Sequence, residues 1–202
     1  MKFLKNTFPN TDFEPEKEGY TKMKEPSMET LLLIAYPVGF AAAAVLFFSA
    51  QMLTPASLQL FQFRLFGLHG LWEIAAFLFI FILFNIFIVI AHEGVHALCF
   101  PEGLRSDHVG FGFHKNGAFF AFYTEDLSKR RMIVTMLMPF ILFTMVPWLL
   151  IILFNLNIPL LMMALLYHAL LASGDLVGLF LIIKNTPKSS VLKNKGYYTY
   201  YR

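Results

Sequence analysis

Hydrophobic positions run along this chain in long uninterrupted blocks. Four blocks have the length, roughly 20 residues, and the low charge that a membrane-spanning helix needs. They are Leu31–Leu53, a run from Leu71 to Ala91, Met132–Leu156 and Ile158–Ile183. Two prolines, at 139 and 147, predict kinks in the third block. The pattern therefore predicts four transmembrane helices, the last two forming a tight antiparallel pair.

A segment with a two-residue period separates the second and third blocks. Residues 108–124 read HVGFGFHKNGAFFAFYT and predict strands at Val109–Phe113 and Ala118–Tyr123. Asn116-Gly117 between them suits the positive φ angles of a tight hairpin turn. Ser128 follows as the predicted N-cap of the third helix. The predicted fold is an all-α integral membrane protein with four transmembrane helices and a small cytoplasmic β-hairpin between helices two and three.

Composition and charge support a multi-pass membrane protein. The chain has 202 residues, of which 57% are hydrophobic and 14% charged, and this balance is too apolar for an ordinary soluble domain. Of its 16 basic residues, all except Arg64 fall on one side of the predicted spans. The positive-inside rule then places both termini and the hairpin in the cytoplasm. The basic residues are too dispersed for a nucleic-acid site, so we expect the lipid bilayer as partner and no nucleic acid.

Three regions follow from this organisation. Residues 1–30 are predicted to be a cytoplasmic N-terminal segment, and residues 31–184 a four-helix membrane domain that includes the hairpin. Residues 185–202 are predicted to be a cytoplasmic tail. The single cysteine, Cys99, excludes an internal disulfide.

Ionisable residues interrupt the second block near its inner end, in NIFIVIAHEGVHALCF (85–100). On a helix His92 and His96 lie one turn apart on one face, a spacing that lets two imidazoles hold one zinc ion. Glu93 between them can act as the general base of a hydrolase. The alternative is a pair of buried histidines bonded to backbone or to another helix, which leaves Glu93 unexplained.

Zinc in a catalytic site usually has a third protein ligand. Asp175 is the best candidate, because the number of residues between it and the outer end of the fourth block nearly equals the number between His92 and the outer end of the second block. Both lie ~26 Å deep at ~1.5 Å per residue. The small pair Ser173-Gly174 would let that helix approach closely. The alternative for Asp175 is a structural ion pair with a basic residue.

Two further polar residues lie two turns outward of these candidates. His168 shares a helix face with Asp175, and Asn85 stands in the same relation to His92. Each could orient a ligand from the second shell. The alternatives are a hydrogen-bonded core histidine and an interhelical polar contact.

These residues resemble a known family. AHEGVHAL (91–98) together with SGD (173–175) is similar to the site-2-protease-like intramembrane zinc metalloproteases. The closer resemblance is to a zincin peptidase family of small bacterial membrane proteins. It extends over KEPSMETLLL (24–33), the glycine-rich hairpin, LSKRRMIVTMLMPF (127–140) and SGDLVG (173–178). The resemblance implies that His92, His96 and Asp175 bind Zn²⁺ and that Glu93 is the catalytic base.

The functional expectation is a zinc metalloprotease that cuts a membrane-protein or peptide substrate within or beside the membrane. The hairpin is predicted to bind the substrate as an added strand. One alternative is a membrane zinc hydrolase acting on a non-peptide amide or lipid. Another is a non-enzymatic zinc-binding or scaffold protein of the membrane.

Overall fold

Long helices make up most of the chain in the computed structural model, which describes residues 2–10, 12–53, 71–113 and 119–202. Helix α1 spans Met28–Leu53, and Ser27 directly before it accepts from the N–H of Thr30 through its hydroxyl. Helix α2 spans Leu71–Cys99. Both exceed the ~20 residues that cross a bilayer.

The third predicted span is one helical rod with an irregular centre. It consists of α3 at Lys129–Phe140, a π-helical turn at Ile141–Met145 and α4 at Val146–Leu153. The N–H of Val146 bonds the carbonyl of Ile141, five residues back, next to Pro147, which has no N–H to donate. The predicted distortion therefore takes the form of a wide turn between the two prolines. Ser128 caps α3, accepting from the N–H of Arg131.

The fourth span is bent. Helix α5 covers Pro159–Leu171 and α6 covers Ser173–Asn185, with an angle of 43° between them. Within the described residues, three helices are long and apolar enough to cross a membrane, and a fourth is counted if this bent pair forms one span.

Two small sheets lie at the end of the bundle where α2 and α6 finish. In the first, β3 (Val109–Phe113) pairs in parallel with β1 (Lys2–Lys5) and antiparallel with β4 (Phe119–Tyr123). The second sheet has four strands: β2 (Thr21–Lys22), β5 (Leu127–Ser128), β6 (Val191–Lys195) and β7 (Tyr198–Tyr201). Their order across the sheet is β2-β7-β6-β5.

The prediction of an all-α fold with one hairpin was therefore wrong for the two ends of the chain. The first predicted strand is confirmed, and the second is confirmed over Phe119–Tyr123; its predicted first residue, Ala118, and the predicted Asn116-Gly117 turn lie outside the described residues. Segments 1–30 and 185–202 each supply strands. Gly196, at φ +60°, opens the two-residue loop between β6 and β7, the position where a hairpin turn favours glycine. That Gly-Tyr signal was in the sequence and was missed.

Buried contacts join the sheets to the helices. Helix α2 packs on α3 and β4, α3 packs on α6, and α1 packs on α5 and α6. One buried apolar cluster contains Met23, Ala97, Phe100, Val109, Leu127, Met132, Ile182 and Leu192. The buried Lys129 ammonium donates to the carbonyls of Ile183 (3.1 Å) and Thr186 (2.6 Å), which fixes the C-terminal end of α6 beneath α3.

The two ends of the chain also meet at Asp126, just before β5. Its carboxylate accepts from the Tyr20 hydroxyl and, at 2.8 Å, from the Arg202 guanidinium. Burial, with the neighbouring Asp126 carboxylate, raises the pKa of the Tyr20 phenol well above its usual value. The N- and C-terminal segments are thus part of the folded unit.

Candidate metal centre

Two imidazoles converge at the inner end of α2. His92 and His96 are 4% and 8% exposed, and their Nε2 atoms lie 3.1 Å apart. Residues four apart on a helix face the same way, so the local periodicity of α2 accounts for the pair. The carbonyl of Thr135 on α3 accepts from Nδ1 of His96 at 2.8 Å. Since a carbonyl cannot donate, the neutral His96 ring carries its proton on Nδ1 and presents a lone pair on Nε2.

Asp175, in the first turn of α6, brings a third donor atom to the same point. Its Oδ2 lies 2.9 Å from Nε2 of His92 and 3.3 Å from Nε2 of His96. The bend between α5 and α6 comes just before it. Gly39 of α1 lets that bend approach closely, since a Cβ there would lie 2.9 Å from Cβ of Ser173. The predicted close approach thus involves Ser173, whereas Gly174 has open space at its Cβ position.

Nε2 of His92, Nε2 of His96 and Oδ2 of Asp175 form a triangle whose size fits a metal ion. A tetrahedral ion with bonds of ~2.0–2.2 Å holds its donor atoms ~3.3–3.6 Å apart. The observed separations of 2.9–3.3 Å are only slightly shorter. Two imidazole nitrogens and one carboxylate are also a usual donor set for a catalytic zinc with an open position. Such lone pairs repel one another unless a cation or a shared proton lies between them.

Glu93 lies beside this triangle. One ligand atom of each of His92, Glu93 and His96 falls within 4.8 Å of the others, so Glu93 is geometrically an alternative third ligand. The shorter distances of Asp175 to both rings make the aspartate the better one. Glu93 Oε2 instead accepts from the N–H of Ala121 on β4 at 2.7 Å. This contact joins the helix to a sheet edge.

A second histidine lies behind His92. Nε2 of His168 is 3.0 Å from Nδ1 of His92, and Nδ1 of His168 is 2.8 Å from the hydroxyl of Thr144. Asn85 lies elsewhere: its side-chain amide donates to the carbonyl of Phe81 on its own helix at 2.6 Å. The structure therefore brings His168, and not Asn85, into contact with the candidate ligands.

A cleft of about 360 Å³ opens at the triangle, on the side of the sheets. Glu93, His96 and Asp175 line it together with β4, the start of α3 and the β6–β7 loop. Phe8 also lines it, with its ring centroid 4.4 Å from that of Tyr197 and 5.7 Å from that of Phe120. Most of the lining is apolar: it includes Phe100, Leu127, Met132, Met136 and Leu192.

The edge of β4 faces this cleft. The N–H of Thr124 donates to the carbonyl of His108 beside β3 at 3.0 Å, so alternation turns the N–H groups of Ala121 and Tyr123 the other way. Among the described residues, no strand pairs with that side of β4. Sequence reasoning proposed a strand edge here but gave no signal for the Ala121 N–H, for Thr144 or for Phe8, because each acquires its position through distant contacts.

Comparison with known proteins identifies one family. A family model described as "Putative zincin peptidase" matches residues 85–191, just over half of the chain, including α2 from Asn85 and the whole of α6. The matched region contains all three atoms of the triangle and Glu93. No curated protein and no solved structure gives a significant match. The chain therefore belongs to this zincin peptidase family, whose description implies a zinc-dependent peptidase.

Proposed function

We propose that the protein is a membrane-embedded zinc peptidase whose ion is held by His92, His96 and Asp175. The convergence of two imidazole Nε2 atoms and one carboxylate oxygen within 3.3 Å, at the base of a cleft, is the observation that carries the proposal. An ion bound there would supply Lewis acidity and lower the pKa of water by several units. The family match supports the same chemistry.

Glu93 is the proposed general base. It follows His92 directly on α2, so its carboxylate lies next to the ligand atoms and lines the cleft. Glu93 therefore lines the space that a bound substrate would occupy. One oxygen is held by the Ala121 N–H, which leaves the carboxylate fixed in orientation and its other oxygen able to take the proton.

The outer edge of β4 is the proposed substrate-binding element. A peptide in a helix hides its carbonyls behind hydrogen bonds, so the scissile bond has to be extended before water can attack. Strand addition at β4 would supply main-chain bonds to an extended peptide and lay it beside Glu93. This edge favours a peptide over a lipid or small amide, which would have no use for a row of backbone donors and acceptors.

The proposed setting is a membrane, with the cleft on the cytoplasmic side. Apolar side chains are widely exposed along α2, including Phe79 at 63%, Ile80 at 64% and Phe87 at 68%. Exposed apolar area of this extent favours contact with hydrocarbon. The sheets and the predicted cytoplasmic basic residues lie at the same end of the bundle, which supports both termini facing inward.

Cysteine labelling tests this orientation. In a Cys99→Ser background, Ser57→Cys (between the first two predicted spans) should react with a membrane-impermeant maleimide in intact cells. Tyr198→Cys, on β7, should react only after lysis. Labelling of Tyr198→Cys in intact cells, with none at Ser57→Cys, would overturn the proposed topology.

Replacement of Glu93 tests the reaction. We expect Glu93→Gln to retain zinc, measured by elemental analysis, while cleavage of a fluorogenic peptide library falls ~10²–10⁴-fold, the usual contribution of a general base. Glu14→Gln, whose exposed carboxylate pairs with Lys17, is the matched control and should cleave normally. A fully active Glu93→Gln would end the hydrolase proposal. If the wild-type protein binds zinc and hydrolyses lipid amides but cleaves no peptide, the substrate is a lipid amide and not a peptide.

A further inference from the structure

Thr144 and His168 form a buried hydrogen-bonded pair directly behind His92, on the side away from the cleft. We propose that this pair, called the Thr–His pair below, is a positioning device that fixes the ring and tautomer of His92 for metal binding. The inference rests on the proposed zinc site and adds Thr144, on a different helix, to the residues that determine its affinity.

The hydrogen bonds have a single consistent direction once His92 binds a metal through Nε2. Its ring proton must then lie on Nδ1, which donates to Nε2 of His168 across 3.0 Å. His168 in turn carries its proton on Nδ1 and donates to the Thr144 hydroxyl across 2.8 Å. The bond from His92 sets the tautomer of His168, the Thr144 hydroxyl accepts from that tautomer, and the Nε2 lone pair of His92 is directed at Asp175 and His96.

Burial makes the pair sensitive to substitution. His168 is 1% exposed and Thr144 is fully buried, so water cannot replace either partner. Loss of the Thr144 hydroxyl would leave the His168 N–H without an acceptor and allow the other tautomer. In that tautomer His168 presents an N–H to His92, and the His92 proton moves to the nitrogen that should bind the metal.

The π-helical turn explains how Thr144 reaches this position. Thr135, whose carbonyl orients His96, is nine residues earlier on the same rod, and at ~100° per residue an unbroken α-helix would put the two on opposite faces, ~180° apart. Thr144 lies inside the wide turn at Ile141–Met145, which takes up an extra residue and so brings the two residues closer to one face. One helical rod thereby supports both metal-binding histidines.

The two histidines are supported differently. His96 is held by a backbone carbonyl, which no side-chain substitution removes. His92 is held by side chains alone, through His168 and Thr144. The affinity of the site should therefore depend on the Thr–His pair.

Zinc affinity of the purified full-length protein, measured by competition with a chromophoric chelator, tests the inference. His168→Leu should weaken zinc binding ~10–100-fold, the usual effect of losing an outer-shell partner. Thr144→Val, which keeps the shape and loses the hydroxyl, should weaken it several-fold, and Thr144→Ser should restore wild-type affinity. The visible absorption spectrum of the cobalt-substituted protein should shift in His168→Leu and Thr144→Val and remain unchanged in Thr144→Ser.

Thr186→Val is the control for general destabilisation. It also loses a buried threonine hydroxyl bond, to the carbonyl of Ile182 at 2.7 Å, at the far end of α6. We expect a comparable drop in thermal stability with unchanged zinc affinity and cobalt spectrum. Wild-type zinc affinity in both His168→Leu and Thr144→Val, with only stability reduced, would make the pair purely structural and overturn the inference. If the wild-type protein bound no zinc, the proposed function would fail and the inference with it.

Discussion

The helices and the sheets of this protein contribute different kinds of groups to one cleft. From α2 and α6 come side chains: Glu93, His96 and Asp175 line the cleft, and the His92 imidazole lies against Asp175. From β4 comes a backbone edge, of which the Ala121 N–H already holds Glu93. The reason lies in the backbone. A helix satisfies its N–H and C=O groups internally and offers only side chains, whereas an edge strand leaves a row of backbone groups available.

The comparison predicts that substitutions on the helices weaken metal binding, whereas substitutions at the sheet edge weaken substrate binding and cleavage. Asp175→Ala should have the largest effect, because it deletes one of three donor atoms rather than an outer partner. We expect zinc affinity to fall by more than ~100-fold, beyond the loss expected from removing a residue that only orients a ligand, and activity to fall with it. Chelator competition and peptide cleavage measure the two. Normal zinc content in this variant would mean that Glu93, and not Asp175, completes the ligand set.

Ala121→Pro should separate metal binding from peptide cleavage most clearly. It removes the N–H that orients Glu93 and faces the proposed substrate, at an edge where proline is otherwise tolerated. We expect cleavage to fall ~10-fold or more with unchanged zinc content, because one charge-assisted hydrogen bond contributes ~1.5–3 kcal/mol. Ala121→Gly keeps the N–H and is the matched control. Equal activity of the two variants would reduce the edge of β4 to a cover over the cleft.

Phe8→Ala tests whether aromatic rings on the sheet side of the cleft limit access to it. The ring lines the cleft and contacts both Phe120 and Tyr197, and an aromatic pair contributes ~0.5–1.5 kcal/mol. If opening limits peptide entry, kcat/KM should rise roughly two- to tenfold while zinc affinity stays constant. Phe3→Ala, on β1 and 65% exposed, loses an aromatic ring away from the cleft and should cleave like wild type. A fall in activity in Phe8→Ala alone would assign the ring to substrate binding.

The smallest predicted effect concerns the junction of the N-terminal segment with the four-stranded sheet. Glu25 accepts from the N–H of Thr199 at 2.7 Å, and burial raises the pKa of its carboxyl. A carboxyl with a raised folded-state pKa favours folding while protonated, so this contribution is present below about pH 4.3, where the unfolded carboxyl titrates, and is lost as pH rises through the folded pKa. Thermal unfolding from pH 4 to 7 should show this loss in the wild type and a flatter profile in Glu25→Gln. Parallel profiles would contradict the assignment.

Elements of this fold that depend on residues close together in the sequence could be predicted, and those that depend on distant residues could not. The apolar blocks predicted the helices because burial in hydrocarbon or core and the helical period are local properties of α1, α2 and the α3–α4 rod. The spacing of His92 and His96 predicted their shared face for the same reason. The bend between α5 and α6 had no comparable signal.

The sequence by itself thus determined where the helices run and which residues could bind a metal. The sequence nominated Asp175 by its depth, but only the tertiary structure decided that it contacts both imidazoles, that Thr144 supports His168, and that Thr21–Lys22 pairs with β7 about 180 residues later. These contacts form only when distant segments pack together. Their partners are therefore chosen by the whole fold, and no local pattern in the sequence can specify them.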